Sequence, residues 1–331
     1  MPANLTQQYH KAEAEYRRAS TPDEELQCLQ LMLRELPKHK GTDKLQADLR
    51  QKISRAKKEV ESQSKRGGGK SATLRIPRQG AGRAVLLGGP NAGKSQLMTS
   101  ITKASPAVAP YPFTTHQPSP GMMPFEDISV QLIDTRPITE DVFDPVTQGL
   151  VRGADLVVLL VDLGADEGIE QLHELIDKLA STKTRLATTS YLDQSDMGVS
   201  FTSTVLAPNK IDLLGAIVRL EFLHEFCPLD FPEFAISAEQ GLGLDELKRA
   251  IYEAMDVVRI YTKLPTAKEP DYDKPFTIRR GGTLLDIAGQ IHKDMATNLK
   301  FARVWGSEVH DGTTVKGDYV LHDKDIVELH A

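Results

Sequence analysis

The stretch Gly88-Gly89-Pro90-Asn91-Ala92-Gly93-Lys94-Ser95 constrains this chain more than any other. It fits the pattern G-x-x-x-x-G-K-[ST]. Arg83-Ala84-Val85-Leu86-Leu87 before it reads as a buried strand, and Gln96-Leu97-Met98-Thr99-Ser100-Ile101 after it as the start of a helix. Glycines let the backbone come close to phosphates, and successive N–H groups converge at the helix N-terminus as an anion nest. Gly88 to Ser95, with Gln96 leading into the helix, are therefore candidate phosphate-binding residues. Lys94 reaches toward the β- and γ-phosphates and the Ser95 hydroxyl toward Mg²⁺. A glycine-rich turn without a ligand is the plainer alternative, and the flanking strand and helix argue against it.

From residue 83 to about 256, strand-like and helical patterns alternate. Apolar runs at 84–87, 128–133, 156–161, 204–207 and 234–236 read as strands, and 169–180 and 244–255 as helices. The predicted fold class is α/β, a largely parallel sheet with helices on both faces. In such sheets the ligand sits beyond the carboxyl ends of the strands, where the phosphate loop lies.

Upstream, residues 4–62 read as three helices, the second opened by the capping box Thr21-Pro22-Asp23-Glu24 and ended by Pro37. Downstream, strand patterns at 276–278, 302–306 and 325–329 surround an amphipathic helix near 285–295, a small β-grasp module. The expected division is a helical region at 1–61, a basic Gly/Ser-rich mobile linker at 62–82, an α/β domain at 83–262 and the β-grasp domain at 274–331.

Four further segments follow the order a GTP-hydrolysing domain requires. Tyr111-Pro112-Phe113-Thr114-Thr115 offers a threonine for Mg²⁺ and the γ-phosphate, Thr115 first and Thr114 as the alternative. Asp134, at a strand end, is placed to hold a Mg²⁺-bound water. The usual D-x-x-G pattern fails here, because the fourth position is Pro137, which has no N–H. The next residue, Ile138, stands where Ras-like proteins carry a water-orienting glutamine, and an isoleucine cannot orient water. In Asn209-Lys210-Ile211-Asp212, Asp212 can accept from guanine N1–H and its 2-amino group, donors that adenine lacks in that arrangement. Asn209 braces the loops and Lys210 lies along the base. Ser237 and Ala238 supply a backbone N–H for guanine O6. Asn91 is a candidate K⁺ ligand, compensating for the missing glutamine, or simply a residue that suits the turn. Catalysis is thus expected to fall on Lys94, Thr115 and Asn91, with Ser95, Thr115 and Asp134 as metal ligands.

Composition enters at the level of partners and location. Residues 1–83 carry 18 Lys/Arg against 10 Asp/Glu, whereas the remainder carries 22 against 36. That asymmetry suits a polyanion on the N-terminal part, or equally a solvated pair of helices and a basic tether. No apolar run approaches the ~18 residues of a membrane helix, no signal-peptide core is present, and the two cysteines form no framework. A cytoplasmic location without membrane contact is the expectation.

The order of phosphate loop, Tyr-Pro-Phe-Thr-Thr, Asn-Lys-Ile-Asp and Ser-Ala resembles the Obg branch of GTPases. Val258-Arg259-Ile260-Tyr261-Thr262-Lys263, Pro270-Asp271-Tyr272, Ile291-His292-Lys293-Asp294, 302–307 and 317–327 resemble the developmentally regulated GTP-binding (DRG) proteins and their C-terminal TGS domain. The resemblance implies a GTP/GDP switch, Mg²⁺-dependent hydrolysis, and association with ribosomes or RNA, with a protein activator as a further partner. Three departures stand out: Pro137, a short segment between Asp134 and Gly153, and no room between Asp162 and Asn209 for the domain that DRG proteins insert. The alternative reading is a GTP-binding scaffold with little or no hydrolysis.

Overall fold

The computed structural model of the chain describes residues 5–19, 22–65, 76–102, 118–139, 145–193 and 199–330. Three helices come first: α1 (Gln7–Arg18), α2 (Pro22–Glu35) and α3 (Asp43–Lys65). The Thr6 hydroxyl caps α1 by accepting the Tyr9 N–H at 3.1 Å. Tyr9, Ala12, Leu29, Met32, Leu45 and Leu49 close one apolar cluster among the three helices. Leu192, from the next body, completes it.

The expected linker at 62–82 needs correction at both ends. Helix α3 continues to Lys65, and residues 76–82 are fixed against the α/β body. Arg83 donates to Ile76 O, Gln131 to Pro77 O, and Arg78 to Asp155 and Gly153 O. Backbone carbonyls held this way satisfy buried donors and leave no freedom to swing. Residues 66–75 lie outside the described residues.

The α/β body runs β1 (Arg83–Gly88), α4 (Lys94–Ile101), β2 (Ser119–Phe125), β3 (Ile128–Asp134), α5 (Pro145–Gly153), β4 (Leu156–Asp162), α6 (Gly168–Ser181), β5 (Thr184–Ala187), β6 (Tyr191–Leu192), β7 (Ser200–Asn209), α7 (Ala216–Phe226) and α8 (Leu244–Ala254). The strands order as β2-β3-β1-β4-β7-β5, with β6 also on β7. All pairs are parallel except β2 with β3 and β6 with β7. Leu86 and Val158 pack against Leu97 of α4 and Leu247 of α8. Val85, Leu87 and Leu159 face the opposite layer, with Leu172 and Leu175 of α6 and Leu223 of α7. Strands buried on both faces need continuous apolar runs, which is why 84–87 and 156–161 read so plainly. The run 234–236 is not a full strand of the sheet; bridges of Leu206 with Glu233, just before it, and of Asn209 with Ile236 tie it to β7.

The second body comprises β8 (Val257–Thr262), β9 (Asp271–Arg279), α9 (Leu284–Ile291), α10 (Lys293–Asn298), β10 (Phe301–Gly306), β11 (Val309–Val315) and β12 (Asp325–His330). Its sheet orders as β11-β10-β12-β8-β9. Here β8 departs from the expected division, which placed it in the first domain through residue 262. It pairs in parallel with β12 and antiparallel with β9. A short apolar strand carries no local mark of the sheet it joins. The helix expected near 285–295 is two helices, broken at His292 (φ −161°, ψ 140°), whose Nδ1 caps α10 by accepting the Asp294 N–H.

The bodies meet at the tip of the β2–β3 hairpin. Phe125 stacks on Tyr252 of α8 at 4.6 Å. The buried guanidinium of Arg259, from β8, donates to Glu126, to Asp127 at 3.2 Å and to Asp323 at 2.7 Å. The Tyr261 hydroxyl donates to Asp127. These carboxylates push the Arg259 guanidinium well above its ordinary value, against the effect of its burial.

Candidate nucleotide site

The phosphate loop sits at the carboxyl end of β1, between the ends of β3 and β4. Gly93 has φ +91° and a Cβ there would run into the Asn209 amide, so only glycine fits. Asn91 is also left-handed, φ +57°, a conformation that asparagine tolerates better than most residues. Ala92 is buried, and Gly89 packs against Gln171 of α6.

Lys94 opens α4 and is buried. Its Nζ donates to Gly88 O and Gly89 O, both at 2.9 Å. Burial pushes its ammonium down to about 8, although Asp134 pulls the other way. Ser95 Oγ donates to Asp134 Oδ2 at 2.5 Å. Burial raises the Asp134 carboxyl above the usual range, opposed by this bond and by the Lys94 charge. Asp134 Oδ1 is buried and has no hydrogen-bond partner among the described residues. An orphaned carboxylate oxygen beside a hydroxyl, at the mouth of an anion nest, is a donor set that suits Mg²⁺.

Asn209 ties the base side to the phosphate side. Its Nδ2 donates to Ala92 O at 2.9 Å, and its Oδ1 accepts the Ala238 N–H at 3.0 Å. One cavity of about 690 Å³ is lined by Asn91, Lys94, Ser95, Gln96, Asp212 and Glu239, among others. Asp212 is exposed at its mouth. The backbone N–H expected to meet guanine O6 is engaged within the protein at either residue: Ser237 N–H donates to Leu242 O and Ala238 N–H to Asn209 Oδ1. Ser237 and Ala238 still wall the cavity, but neither offers a free donor in this structure.

Two residues escaped the sequence reading. Asp162, at the end of β4, accepts from Lys210 Nζ at 2.6 Å and from Gly164 N–H at 2.7 Å. It thereby fixes the lysine beside the base pocket. Its place at a strand's carboxyl end was the available signal. Thr135 is buried, and its hydroxyl donates to Leu86 O at 2.7 Å, holding the segment after Asp134 against β1. Pro137 lines the cavity, whereas Ile138 is 2% exposed and belongs to the core. Ile138 therefore faces away from any water at the phosphates. Thr114 and Thr115 lie outside the described residues.

Comparison with known proteins finds matches over both bodies of the chain. The family model described as 50S ribosome-binding GTPase matches residues 83–190, and the TGS domain model matches 258–331. An uncharacterized GTP-binding protein of Methanocaldococcus jannaschii is 27% identical over 366 positions, covering 93% of this chain and 92% of that protein. The developmentally-regulated GTP-binding protein 2 homolog of Dictyostelium discoideum is 25% identical, covering 92% and 98%. Both alignments are longer than this chain's 331 residues, so the relatives carry insertions. Among solved structures, a GTP-binding protein from Pyrococcus horikoshii aligns over 75% of this chain and 99% of its own, at 15% identity and a TM-score of 0.45.

Proposed function

We propose that this chain, a GTP-hydrolysing P-loop enzyme with a C-terminal TGS domain and homologues named developmentally-regulated GTP-binding proteins across its length, works as a slow switch on ribosomes or RNA. The observation that carries the guanine reading is the Asn209 bridge. It joins the loop at Ala92 to Ala238, and Asp212 lines the same cavity as the phosphate loop, which supports base choice and phosphate binding being made together. Asp212 accepts two donors that only guanine presents, and an unpaired carboxylate opposite adenine costs roughly 1–3 kcal/mol or more.

Water attacks the γ-phosphorus, the bond to the β–γ bridging oxygen breaks, and GDP and phosphate leave. Mg²⁺, held by Ser95 and Asp134 with Thr115 as an expected third ligand, would neutralise charge on the phosphate oxygens. Lys94 adds a buried cation aimed along the loop, where low dielectric strengthens its effect. Slow intrinsic turnover rests on Pro137, which has no N–H to offer, and on Ile138, turned into the core. Asn91 lines the cavity and is the candidate for K⁺, although its left-handed φ gives it a reason to be asparagine without one.

Three findings support the ribosome or RNA part: the basic excess before residue 84, the TGS match, and the name of the family matching 83–190. The test is GTP turnover in KCl and in NaCl, with and without purified ribosomes. Turnover above that of Lys94→Ala in at least one condition is expected, with ribosomes raising it. Equal rates for both proteins throughout would leave a GTP-binding scaffold. Exchanging Lys65, Arg66, Lys70 and Arg75 for glutamine should weaken ribosome co-sedimentation and flatten its salt dependence. Unchanged binding would shift the contact to the TGS domain.

A further inference from the structure

Helix α7 follows the guanine motif directly, and its apolar residues are spread around it instead of forming one face. Ala216-Ile217-Val218-Arg219-Leu220-Glu221-Phe222-Leu223-His224-Glu225-Phe226 has no single apolar stripe. Only one side is covered: Leu220 and Leu223 pack on the sheet layer formed by Leu159 and Leu206. The other side opens to solvent, with Leu214 99% exposed, Ile217 58% and Phe226 63%, and with Val218 and Phe222 beside them. The Phe222 and Phe226 rings lie 6.0 Å apart as one aromatic ledge. Large apolar side chains gathered in this number on one exposed side of a helix, with Glu221 and Glu225 between them, mark an interaction site.

The charges say what covers it. Glu221 and Glu225 are exposed one turn apart, next to that ledge, and neither has an ion-pair partner among the described residues. The basic groups of the helix are already used, Arg219 by Asp166 at 2.6 Å and His224 by Glu233 at 2.9 Å. A nucleic acid is disfavoured, because the carboxylates repel phosphate. A second copy packed helix to helix about a twofold axis would set Glu221 and Glu225 against their own counterparts. The complementary surface is apolar with cations spaced a helical turn apart. We propose that the α7 face is a docking site for a basic amphipathic helix of another protein, Leu214, Ile217 and the two phenylalanines receiving its apolar side and the two glutamates its lysines or arginines.

The test uses the full chain and a fluorescent helical peptide of leucine and lysine, about 18 residues or five turns long. A companion peptide carries glutamate in place of lysine. Binding is read by fluorescence anisotropy for the wild-type chain, Phe222→Ser/Phe226→Ser and Glu221→Lys/Glu225→Lys, all at exposed positions. Labelled GTP binding equal to wild type serves as the folding control. The expected result is micromolar binding of the lysine peptide, weakened about tenfold or more by either double substitution. The charge-reversed chain should also prefer the glutamate peptide. The proposal is overturned if the lysine peptide does not bind the wild-type chain, or binds the phenylalanine variant equally well. It is also overturned if the wild-type chain sediments as a dimer that the phenylalanine variant converts to monomer, which would make a second copy the occupant.

Discussion

Lys94 ties the nucleotide site to proton balance. Its ammonium, near 10.5 in the unfolded chain, is held at about 8 in the folded one because burial disfavours the charge. The unfolded state therefore binds the proton more tightly between these values, and nucleotide-free stability rises as pH climbs from about 8 toward 10.5. Lys94→Met removes that rise. Urea midpoints at pH 7.5 and pH 10 for the two proteins check it, and a wild-type gain no larger than the variant's would contradict the burial effect. Phosphates favour the ammonium, so GTP binding in the same window should take up a proton. Calorimetry in buffers of different ionisation enthalpy would detect that uptake. Asp212 governs a different property. Asp212→Asn turns one acceptor into a donor, which opposes the guanine 2-amino group and suits the xanthine 2-oxo group. GTP affinity should fall about tenfold to a hundredfold while xanthosine triphosphate affinity rises, measured by competition against a labelled nucleotide.

At the scale of elements, the seam at the β2–β3 hairpin rests on one buried cation. Arg259→Ala leaves Glu126, Asp127 and Asp323 facing one another without it. The carboxylates are partly solvated, so losing their buried cation should cost about 1–3 kcal/mol in denaturant unfolding. Arg259→Lys should recover part of it, because the charge returns but the forked donors do not. The seam was invisible in the sequence because its members lie 64 to 134 residues apart. The same distinction explains what could be read. Gly88 to Ser95 and Asn209 to Asp212 are contiguous, so their spacing alone implied chemistry. Strand β2 (Ser119–Phe125) was missed because two prolines and a glycine spoil its pattern, tolerable only on the edge where it lies. Helix α7 was missed because it lacks the apolar period by which helices are recognised. The internal use of the Ser237 and Ala238 N–H groups depends on which loop lies beside which, and no spacing encodes that.

Across the whole molecule, the N-terminal helices are bound to the rest by unequal contacts. Lys11 reaches Asp286 of α9 at 3.2 Å, but both side chains are solvated and the pair is worth little. Glu13 counts for more: it is buried and accepts the Leu192 N–H at 3.1 Å, where β6 meets the helical cluster. Glu13→Ala should cost about 1–3 kcal/mol and speed amide exchange at Leu192 above its neighbours. Faster exchange spread evenly over β7 would instead mean that the whole edge had loosened. The strand order of the second sheet has a further consequence, for synthesis. Strand β12 lies at its centre, between β10 and β8, with Ile260 opposite Asp325. A ribosome delivers β8, β9, β10 and β11 before the strand that joins them exists. Until residues 325–330 emerge, β8 and β10 each present an open edge, and the α/β body is complete while its neighbour is not. The hairpin tip at Glu126 and Asp127 likewise waits for Asp323 before its grip by Arg259 is whole. A stall in translation just upstream would hold a nascent chain with its phosphate loop formed and its second sheet split in two.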